Sequence, residues 1–394
     1  GQTIRQEGVF GKHVGYSAQL KQDMTHATSV LKQHYEDWSE DPRFLEHGQL
    51  FVQEHNDKEL NTAINVAIIV KLPVHINVPF EEPLYQSVEA SSISPKVVPV
   101  VVDDSVESEL DLEEFVQIWN NCDRKMVLVG SNPPNLVEER FLDQLANDGS
   151  VLVFTETISN IHHPNFFPSV DSIMAPIEKS GEREIRSKAL QPQLLLTFGG
   201  MVVSKKIKAF LRQFQPQHHW HIDSKKAYDT FFCLSHHFEM TPNVFFSNFL
   251  GNVNKVPSDY WRYWSTVKLD YEDKRRVYLN EIPFSDMWAL NHVLNSVPEK
   301  YQLQLANSST VRYSQLFDLH PSLSVYCNRG TSGIDGSIST AVGASIYQKS
   351  PTLLLTGDLS FFYDSNGLWN SAIRSDFRII VVNNQGGGIF RILP

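Results

Sequence analysis

The most constraining part of the sequence is residues 352–388, where two apolar segments each end in small polar residues. Residues 352–356 have the length and composition of a buried parallel strand, and residues 377–382 are a second apolar strand. A segment of helical character, 363–374, lies between them. This order predicts a strand–helix–strand unit whose two strands end at the same edge of a parallel sheet.

An acidic side chain follows the first strand and an amide side chain follows the second. Asp358 and Asn384 are 26 positions apart (384 − 358), the length expected of one crossover between parallel strands. Either residue alone is typical of an ordinary turn, with Asp as a helix cap or Asn before Gly. Together, beside Gly386, Gly387 and Gly388, they supply hard oxygen ligands next to a turn that can approach a phosphate. The pair predicts Mg²⁺ holding a diphosphate.

The composition sets limits on the protein's class. With 394 residues, 41% of them hydrophobic and 20% charged, the chain is expected to form two or three globular domains. Its net charge of −11 argues against nucleic acid or an anionic membrane as the main partner. We find no apolar run of the ~18 residues that suggest a membrane span, and no signal-peptide pattern. The three scattered cysteines predict a reducing cytoplasm without disulfides.

Adjacent histidines are the other candidates for metal binding. Neighbouring side chains in a helix or strand point in different directions, and no carboxylate or cysteine stands at ligand spacing beside them. We therefore interpret them as surface or core residues. The pairs are His162 and His163, His218 and His219, and His236 and His237.

Strand-like and helical segments alternate along the chain, which predicts an α/β protein with doubly wound parallel sheets. The first unit, residues 1–85, holds a long helix over about 43–70 and a strand near 74–79, but lacks earlier strands. Because the sequence also starts without Met and stops just past a strand, we expect an internal segment of a longer protein. The other parts are a linker, 86–106, a central domain, 107–280, and a third domain, 281–394.

Two more strands of the third domain end in small polar residues. The segment 303–306 runs into Asn307 and Ser308, and Ser308 is expected to cap the helix that carries Arg312. The segment 324–327 runs into a glycine- and hydroxyl-rich turn, 328–336, whose backbone N–H groups can approach a phosphate. With the strand 352–356, three successive strands therefore end in such turns on one edge. This indicates a ligand site, because an ordinary doubly wound domain would not need all three.

These motifs resemble the metal and diphosphate motif of thiamine-diphosphate-dependent enzymes. The finer resemblance is to the family of 2-succinyl-5-enolpyruvyl-6-hydroxy-3-cyclohexene-1-carboxylate synthases of menaquinone biosynthesis. It implies a pyrimidine-binding domain, incomplete here over 1–85, then the central domain and a diphosphate-binding domain over 281–394. The segments that carry it are 2–6, 75–84, 307–312, 328–336, 357–364 and 384–394.

The resemblance implies thiamine diphosphate and Mg²⁺, or Mn²⁺, as cofactors. Asp358, Asn384 and the backbone carbonyl of Gly386 would be the metal ligands. Ile334 would be the apolar wedge beneath the bent cofactor. The other implied cofactor-binding residues are Ser308, Ser332, Gly333, Gly357, Leu359, Ser360 and Gly387.

The implied substrates are 2-oxoglutarate, which is decarboxylated, and isochorismate, which receives the succinyl unit. Both are dicarboxylates, so a protein of net charge −11 must supply local cations. Arg312, Arg329 and Lys205 are the implied ones, with Arg391 as a further candidate, and arginine suits paired hydrogen bonds to a carboxylate. The remaining implied substrate contacts are Gln2, Ser308, Ile389, Phe390 and Leu393.

No residue is assigned to the family's catalytic glutamate, which lies upstream of the motif that begins at Gln2. The resemblance also implies sites between the subunits of a homodimer or homotetramer. Two alternatives stay open: another thiamine-diphosphate enzyme, such as an acetolactate-synthase-like or 2-oxo acid decarboxylase relative, and a non-catalytic module with the same fold. Ser308, Arg312 and Arg329 favour a dicarboxylate over pyruvate.

Overall fold

The computed structural model describes residues 4–22, 42–80, 87, 89–90, 94–99 and 111–388, with backbone only for 42–46. The chain divides into two compact units, Gly1–Glu109 and Leu110–Pro394. The finer domain boundaries expected near 85, 106 and 280 stay predictions.

In the first unit, a long helix packs beside a two-stranded parallel sheet. The helix is α1, Pro42–Ile69, and the strands are β1, Tyr16–Gln19, and β2, Val74–Asn77. Glu59 on α1 accepts hydrogen bonds from the Tyr16 hydroxyl at 3.0 Å and from the Gln19 backbone N–H at 3.2 Å. The predicted helix and the predicted strand near 74–79 are confirmed.

The second unit begins with a five-stranded, fully parallel sheet in the order β4-β3-β5-β6-β7. The strands are β3, Lys125–Val129, β4, Val151–Phe154, β5, Leu194–Phe198, β6, His218–Ile222, and β7, His236–Phe238. Its helices are α2, Glu113–Asn121, α3, Glu139–Ala146, α4, Val170–Lys179, α5, Arg183–Leu190, α6, Lys205–Gln213, α7, Pro242–Phe249, and α8, Tyr260–Glu281.

Both faces of this sheet are covered. Val127 and Val129 of β3 belong to one apolar core, whereas Met126 and Leu128 belong to another on the opposite face. A strand that is buried on both faces reads as a continuous apolar run rather than an alternating one. This is why the sequence identified β3, β4 and β5 clearly.

A second parallel sheet follows in the order β11-β10-β8-β9. The strands are β8, Gln302–Leu305, β9, Ser324–Cys327, β10, Thr352–Gly357, and β11, Phe377–Val382. Its helices are α9, Asp286–Asn295, α10, Ser309–Ser314, α11, Ser337–Tyr347, and α12, Asp358–Tyr363. The chain runs from β8 to β9 on one side and then crosses to β10 on the other side of β8. The direction of the strand order therefore changes between β8 and β10. Open α/β sheets bind ligands at such a switch point.

The helix predicted over 363–374 is wrong. Helix α12 ends at Tyr363, and a short 3₁₀ turn, Ser365–Leu368, follows it. The Asp364 carboxylate instead accepts the backbone N–H and the hydroxyl of Ser339 at 2.7 and 2.6 Å, at the start of α11. Gly367 packs so closely that an added Cβ would lie 2.9 Å from the Ser339 nitrogen. Tertiary contacts with α11 therefore override the helical pattern.

The α/β class and the parallel sheets are as predicted. Helix α8 and strand β7 were not predicted. The sequence around β7 is a short histidine-rich stretch without the apolar run that marks a buried strand. Within the described ranges, no helix combines the length and the apolar character that crossing a membrane requires.

Candidate functional site

The predicted neighbours Asp358 and Asn384 follow two strands that are paired in parallel, β10 and β11. Asp358 is buried at the start of α12. Its carboxylate accepts the backbone N–H of Leu359 at 2.8 Å and, with the other oxygen, that of Gly386 at 2.8 Å. The carboxylate at the end of β10 is thus tied directly to the turn that follows β11.

That turn is organised by Asn384. Its Oδ1 accepts the N–H of Gly388 at 3.2 Å, and its Nδ2 donates to the Asp286 carboxylate at 2.9 Å. Gly386 and Gly387 have φ values of 107° and 66°, which side-chain-bearing residues rarely adopt. Asp286 is a site residue that the sequence analysis missed. It reads as an ordinary acidic residue in the first turn of α9, and only the fold brings it to Asn384.

The donors gathered here fit Mg²⁺ or Mn²⁺. Asp358, Asn384 and Gly386 offer a carboxylate, a carboxamide and a backbone carbonyl, which are hard oxygen ligands. Because Asp286 accepts from the Nδ2 of Asn384, the amide oxygen faces the turn. The described residues include no cluster of three His, Cys, Asp or Glu side chains suited to a metal. The predicted set needs only one such side chain, so the metal stays a prediction.

The glycine-rich turn after β9 is fixed from two sides. The Nδ2 of Asn307 donates to the backbone carbonyls of Asn328 and Gly333, at 2.6 and 2.7 Å. The Ser360 hydroxyl donates to the carbonyl of Ile334. At Gly333, a Cβ would lie 2.2 Å from an Asp335 side-chain oxygen, so a larger residue there would displace that carboxylate. The turns after β8, β9 and β10 therefore hold one another in place.

A cavity of ≈ 150 Å³ opens between these turns. Of the predicted cofactor and metal residues, eight line it: Ser308, Ile334, Gly357, Asp358, Leu359, Ser360, Asn384 and Gly387. Gly386 joins the site through Asp358, while Ser332 and Gly333 are part of the turn behind it. Residues that the sequence analysis did not single out as ligands also line the cavity: Asp286, Leu290, Asn307, Ser309, Thr310, Val382 and Gly388.

Ser308 directly precedes the helix, as predicted, but its side chain does not cap it. It is the residue before α10, yet its side chain makes no capping hydrogen bond. Its backbone has φ 71° and ψ −130°, a conformation that costs energy for a residue with a side chain. The prediction that its hydroxyl caps the helix of Arg312 is wrong. The hydroxyl is instead one of the groups at the wall of the cavity.

The predicted cations lie on different elements of the second unit. Arg329 follows β9, and its Nη1 donates to Asn307 Oδ1 at 2.7 Å, whereas its buried Nε has no hydrogen-bond partner in the described part of the chain. Arg312 is half-buried on α10, and Lys205 is an exposed first residue of α6. Arg329 also faces the thiol of Cys327, whose pKa burial raises to about 12 despite that guanidinium. The Cys327 thiol is therefore protonated at neutral pH.

Glu156 is a buried acid that the sequence analysis missed. It lies just past β4 and is 3% exposed. Its two carboxylate oxygens accept the backbone N–H groups of Val203 and Ser204, both at 2.7 Å. Burial raises its pKa to about 7, while those two bonds and, more weakly, the Arg329 charge act in the opposite direction. It lies in a polar, turn-like stretch, and no sequence signal marks it as buried.

Four predicted substrate contacts fall outside the described residues, namely Gln2, Ile389, Phe390 and Leu393, as does Arg391. Of the histidine pairs, His219 has the surroundings of a core residue. His219 is buried against the Thr197 hydroxyl, with its Nε2 2.9 Å from Oγ1, and burial lowers its pKa to about 4. That ring is neutral at physiological pH.

Comparisons with known proteins agree with this geometry. Residues 307–393 match the thiamine pyrophosphate enzyme family, in its C-terminal TPP binding domain. This range contains the turns after β8, β9, β10 and β11.

Curated relatives resemble the chain well beyond that domain. A 2-succinyl-5-enolpyruvyl-6-hydroxy-3-cyclohexene-1-carboxylate synthase from Christiangramia forsetii is 52% identical over 394 residues, which is all of this chain and 67% of the relative. A Flavobacterium psychrophilum protein of the same name is 46% identical over all of the chain and 65% of its own length. One from Porphyromonas gingivalis is 37% identical over 69% of the chain and 48% of the relative. The chain thus spans about two thirds of the first two relatives.

Proposed function

Because the chain belongs to the 2-succinyl-5-enolpyruvyl-6-hydroxy-3-cyclohexene-1-carboxylate synthase family of thiamine pyrophosphate enzymes, we propose that it takes part in that synthesis. The proposed reaction releases CO₂ from 2-oxoglutarate and joins the succinyl unit to isochorismate, in menaquinone biosynthesis. The observation that carries the proposal is the cavity at the strand ends, with Asp358 and Asn384 on one wall and Ser308 and Ile334 among the others.

The cofactors are proposed on the same residues. Asp358, Asn384 and Gly386 would hold Mg²⁺ or Mn²⁺, and Gly357 and Gly387 would leave room for the diphosphate. Bound thiamine diphosphate supplies the electron sink for decarboxylation, and the protein supplies placement and charge. The proton-transfer role of the family's glutamate is not proposed for any described residue.

The substrates are proposed from the charges near the cavity. Both are dicarboxylates, and Arg312 on α10 and Arg329 in the turn after β9 follow two neighbouring strands, β8 and β9. The Arg329 guanidinium is oriented by Asn307 and keeps a buried N–H that has no protein acceptor among the described residues. A ligand carboxylate is a suitable acceptor for such a group. Lys205 stays a proposed contact.

A homodimer or homotetramer in the cytoplasm is proposed as the working form. Four aromatic side chains on or beside α11 and α12 are largely exposed, at 68–88%, and these elements pack against one another. Large exposed apolar patches on a protein mark interaction surfaces. The four are Tyr347, Phe362, Tyr363 and Trp369.

The test measures catalytic turnover of 2-oxoglutarate. It uses the longest polypeptide that contains these 394 residues and supplies it with thiamine diphosphate, Mg²⁺ and isochorismate. CO₂ release from 2-oxoglutarate, coupled to product formation, is expected, with little release from pyruvate. Arg329→Gln should raise the KM for 2-oxoglutarate, because the guanidinium that faces the substrate carboxylate is lost.

Each alternative predicts a different result. Turnover of pyruvate but not of 2-oxoglutarate would identify an acetolactate-synthase-like or decarboxylase relative. Cofactor binding without any CO₂ release would identify a non-catalytic module. Sedimentation of the wild-type protein and of Trp369→Asp tests the oligomer separately, since a dissociated variant is expected if this surface is the interface.

A further inference from the structure

The side chain of Asn384 is held by two groups of opposite hydrogen-bonding character. Its Nδ2 donates to a carboxylate oxygen of Asp286 at 2.9 Å, and its Oδ1 accepts the backbone N–H of Gly388 at 3.2 Å. An ionised carboxylate can only accept a hydrogen bond, and a backbone N–H can only donate one. Rotation of the amide by 180° would place two acceptors against each other and two donors against each other. The two partners therefore allow a single orientation of the amide.

This orientation leaves the amide oxygen able to bind a cation. A carboxamide oxygen has two acceptor sites, and the N–H of Gly388 occupies one of them. The turn restricts the side chain further, because a Cβ at Gly388 would lie 2.9 Å from Asn384 Nδ2. Asp286 and Asn384 line the same cavity as Asp358. The carboxylate that fixes the amide is thus part of the wall of the candidate site.

The packing of α9 determines where Asp286 lies. Asp286 is in the first turn of this helix. Leu290 follows one turn later on the same face of the helix, and it is buried in the apolar core of the β8–β11 sheet. Leu290 also lines the cavity. The sheet therefore holds the Asp286 carboxylate in place independently of the turn after β11.

The helix itself does not need Asp286 as a cap. An acid in the first turn often serves its own helix, as a cap or through the helix dipole. In α9 the cap is Ser285, whose hydroxyl oxygen accepts the N–H of Trp288 at 3.4 Å. Within the described ranges, the Asp286 side chain forms no hydrogen bond or ion pair other than the bond with Asn384. In that part of the chain, its one partner is therefore the proposed metal ligand.

We propose that Asp286 is a positioning residue of the metal site, which binds the amide nitrogen of Asn384 and so keeps the amide oxygen directed at the cation. This inference rests on the proposed function, which supplies Mg²⁺ or Mn²⁺ and assigns Asn384 as a ligand. Groups that hydrogen-bond a metal ligand set its orientation, and their loss costs roughly 10–100-fold in metal affinity. Asp286 adds to the site an acid that lies outside the sequence motifs.

The test is a titration of Mn²⁺ into the longest polypeptide that contains these residues, with thiamine diphosphate present. The electron paramagnetic resonance signal of free Mn²⁺ gives the bound fraction. Asp286→Ala should weaken Mn²⁺ binding about tenfold or more, because the amide of Asn384 is then free to rotate.

Asp171→Ala is the matched control. Asp171 is also a half-buried acid in the first turn of a helix, α4, and it accepts a hydrogen bond from the Ser204 hydroxyl, but it does not line the cavity. This variant should bind Mn²⁺ within about twofold of wild type.

A double variant shows how Asp286 acts. If it acts through Asn384, Asp286→Ala should cause little further loss of Mn²⁺ affinity once Asn384 is replaced by alanine. Losses that add would show that Asp286 acts on the cation directly, which overturns the positioning role. Asp286→Asn keeps an oxygen that can accept from Asn384, so it should recover part of the affinity. Without such a recovery, the hydrogen bond is not what Asp286 supplies, and the positioning role is again overturned.

The single variants separate this inference from the proposed metal site. Wild-type Mn²⁺ affinity in Asp286→Ala overturns the inference alone, provided that Asn384→Ala binds Mn²⁺ more weakly. Wild-type affinity in Asn384→Ala overturns the proposed metal site and the inference with it. Asp286→Ser, whose side chain is too short to reach Asn384, replaces the alanine variant if that variant does not fold.

Discussion

The two parallel sheets of the second unit end their strands in similar residues but use them in opposite ways. In the five-stranded sheet, an added Cβ at Gly130 would lie 1.8 Å from the Gly200 carbonyl oxygen, and one at Gly199 would lie 2.7 Å from the Asn132 side chain. In the β8–β11 sheet, a Cβ at Gly357 or Gly386 would meet nothing within 4 Å. Other protein atoms thus fill the space beside Gly130 and Gly199, at what we call the closed edge, whereas space remains beside Gly357 and Gly386, at what we call the open edge.

This difference shows that a glycine after a strand is not in itself a ligand signal. At the closed edge, glycine allows two turns to pack against each other. At the open edge, it leaves space where a diphosphate can approach the backbone. In the sequence, the two edges differ in the residues that lie next to the glycines. Asp358 and Asn384 lie next to the glycines of the open edge.

The largest effect is expected from removing the acid at the open edge. Asp358→Ala should weaken thiamine diphosphate binding in the presence of Mg²⁺ by roughly 100-fold, about 3 kcal/mol, because the carboxylate is both a proposed metal ligand and the anchor of Gly386. Titration followed by protein fluorescence measures it.

Asp223 is the matched control at the closed edge. It follows β6 as Asp358 follows β10, and its Oδ1 also accepts two backbone N–H groups, from Lys225 and Lys226 at 2.8 and 3.1 Å. Asp223→Ala should leave cofactor affinity unchanged. Equal losses in both variants would mean that the carboxylates act through fold stability and that the two edges do not differ in function.

A buried acid at the closed edge should affect stability in a pH-dependent way. Burial raises the pKa of Glu156 from 4.5 to about 7, so the folded state holds the proton more tightly than the unfolded state. Its contribution to stability is therefore complete below about pH 4.5 and is lost as the pH rises through 7. Relative to Glu156→Gln, the wild-type free energy of unfolding should fall by about 3 kcal/mol over this interval.

Urea unfolding of both proteins at pH 5 and pH 8 measures that difference. The glutamine variant loses one acceptor for Val203 or Ser204, so it should be less stable at every pH, and the informative quantity is the pH dependence. Parallel stability curves for the two proteins would show that Glu156 does not titrate between the folded and unfolded states in this range.

The smallest effects are expected from paired glycine substitutions. Gly130→Ala should lower the free energy of unfolding by about 2 kcal/mol through overpacking against Gly200, without a specific change in cofactor affinity. Gly357→Ala should change stability by less than about 0.5 kcal/mol, because φ is −83° and the space is open, but its methyl group should weaken cofactor binding. Chemical unfolding and cofactor titration of both variants distinguish the two edges, and the reverse pattern would contradict the comparison.

Much of this arrangement was predictable from the sequence. The strands β3, β4, β5 and β10 are apolar runs buried on both sides, and β11 is an apolar strand at the sheet edge. The parallel order of β10 and β11 places Asp358 beside Asn384 without knowledge of any contact. The spacing of Asp358 and Asn384 along the chain was enough to predict that they are neighbours, because it matches the length of one crossover between parallel strands. Family resemblance then gave the cofactor, and the match over residues 307–393 supports it.

Other features needed the tertiary structure. The helix predicted over 363–374 does not form, because Asp364 accepts a hydrogen bond from Ser339 and Gly367 packs against Ser339, which lies on another helix. Ser308 occupies its predicted place but adopts a strained backbone rather than a capping bond. Asp286 lies 98 positions from Asn384 and has no local signal.

The sequence by itself determined the fold class and the identity of the carboxylate and amide at the open edge, because these depend on periodicity and spacing along the chain. Only the tertiary structure decided which glycines leave space, that Glu156 is buried and that Asp286 meets Asn384. Those properties depend on how far side chains are removed from water and on which charges face them. Burial and charge proximity arise between segments that are distant in sequence, so no local pattern encodes them.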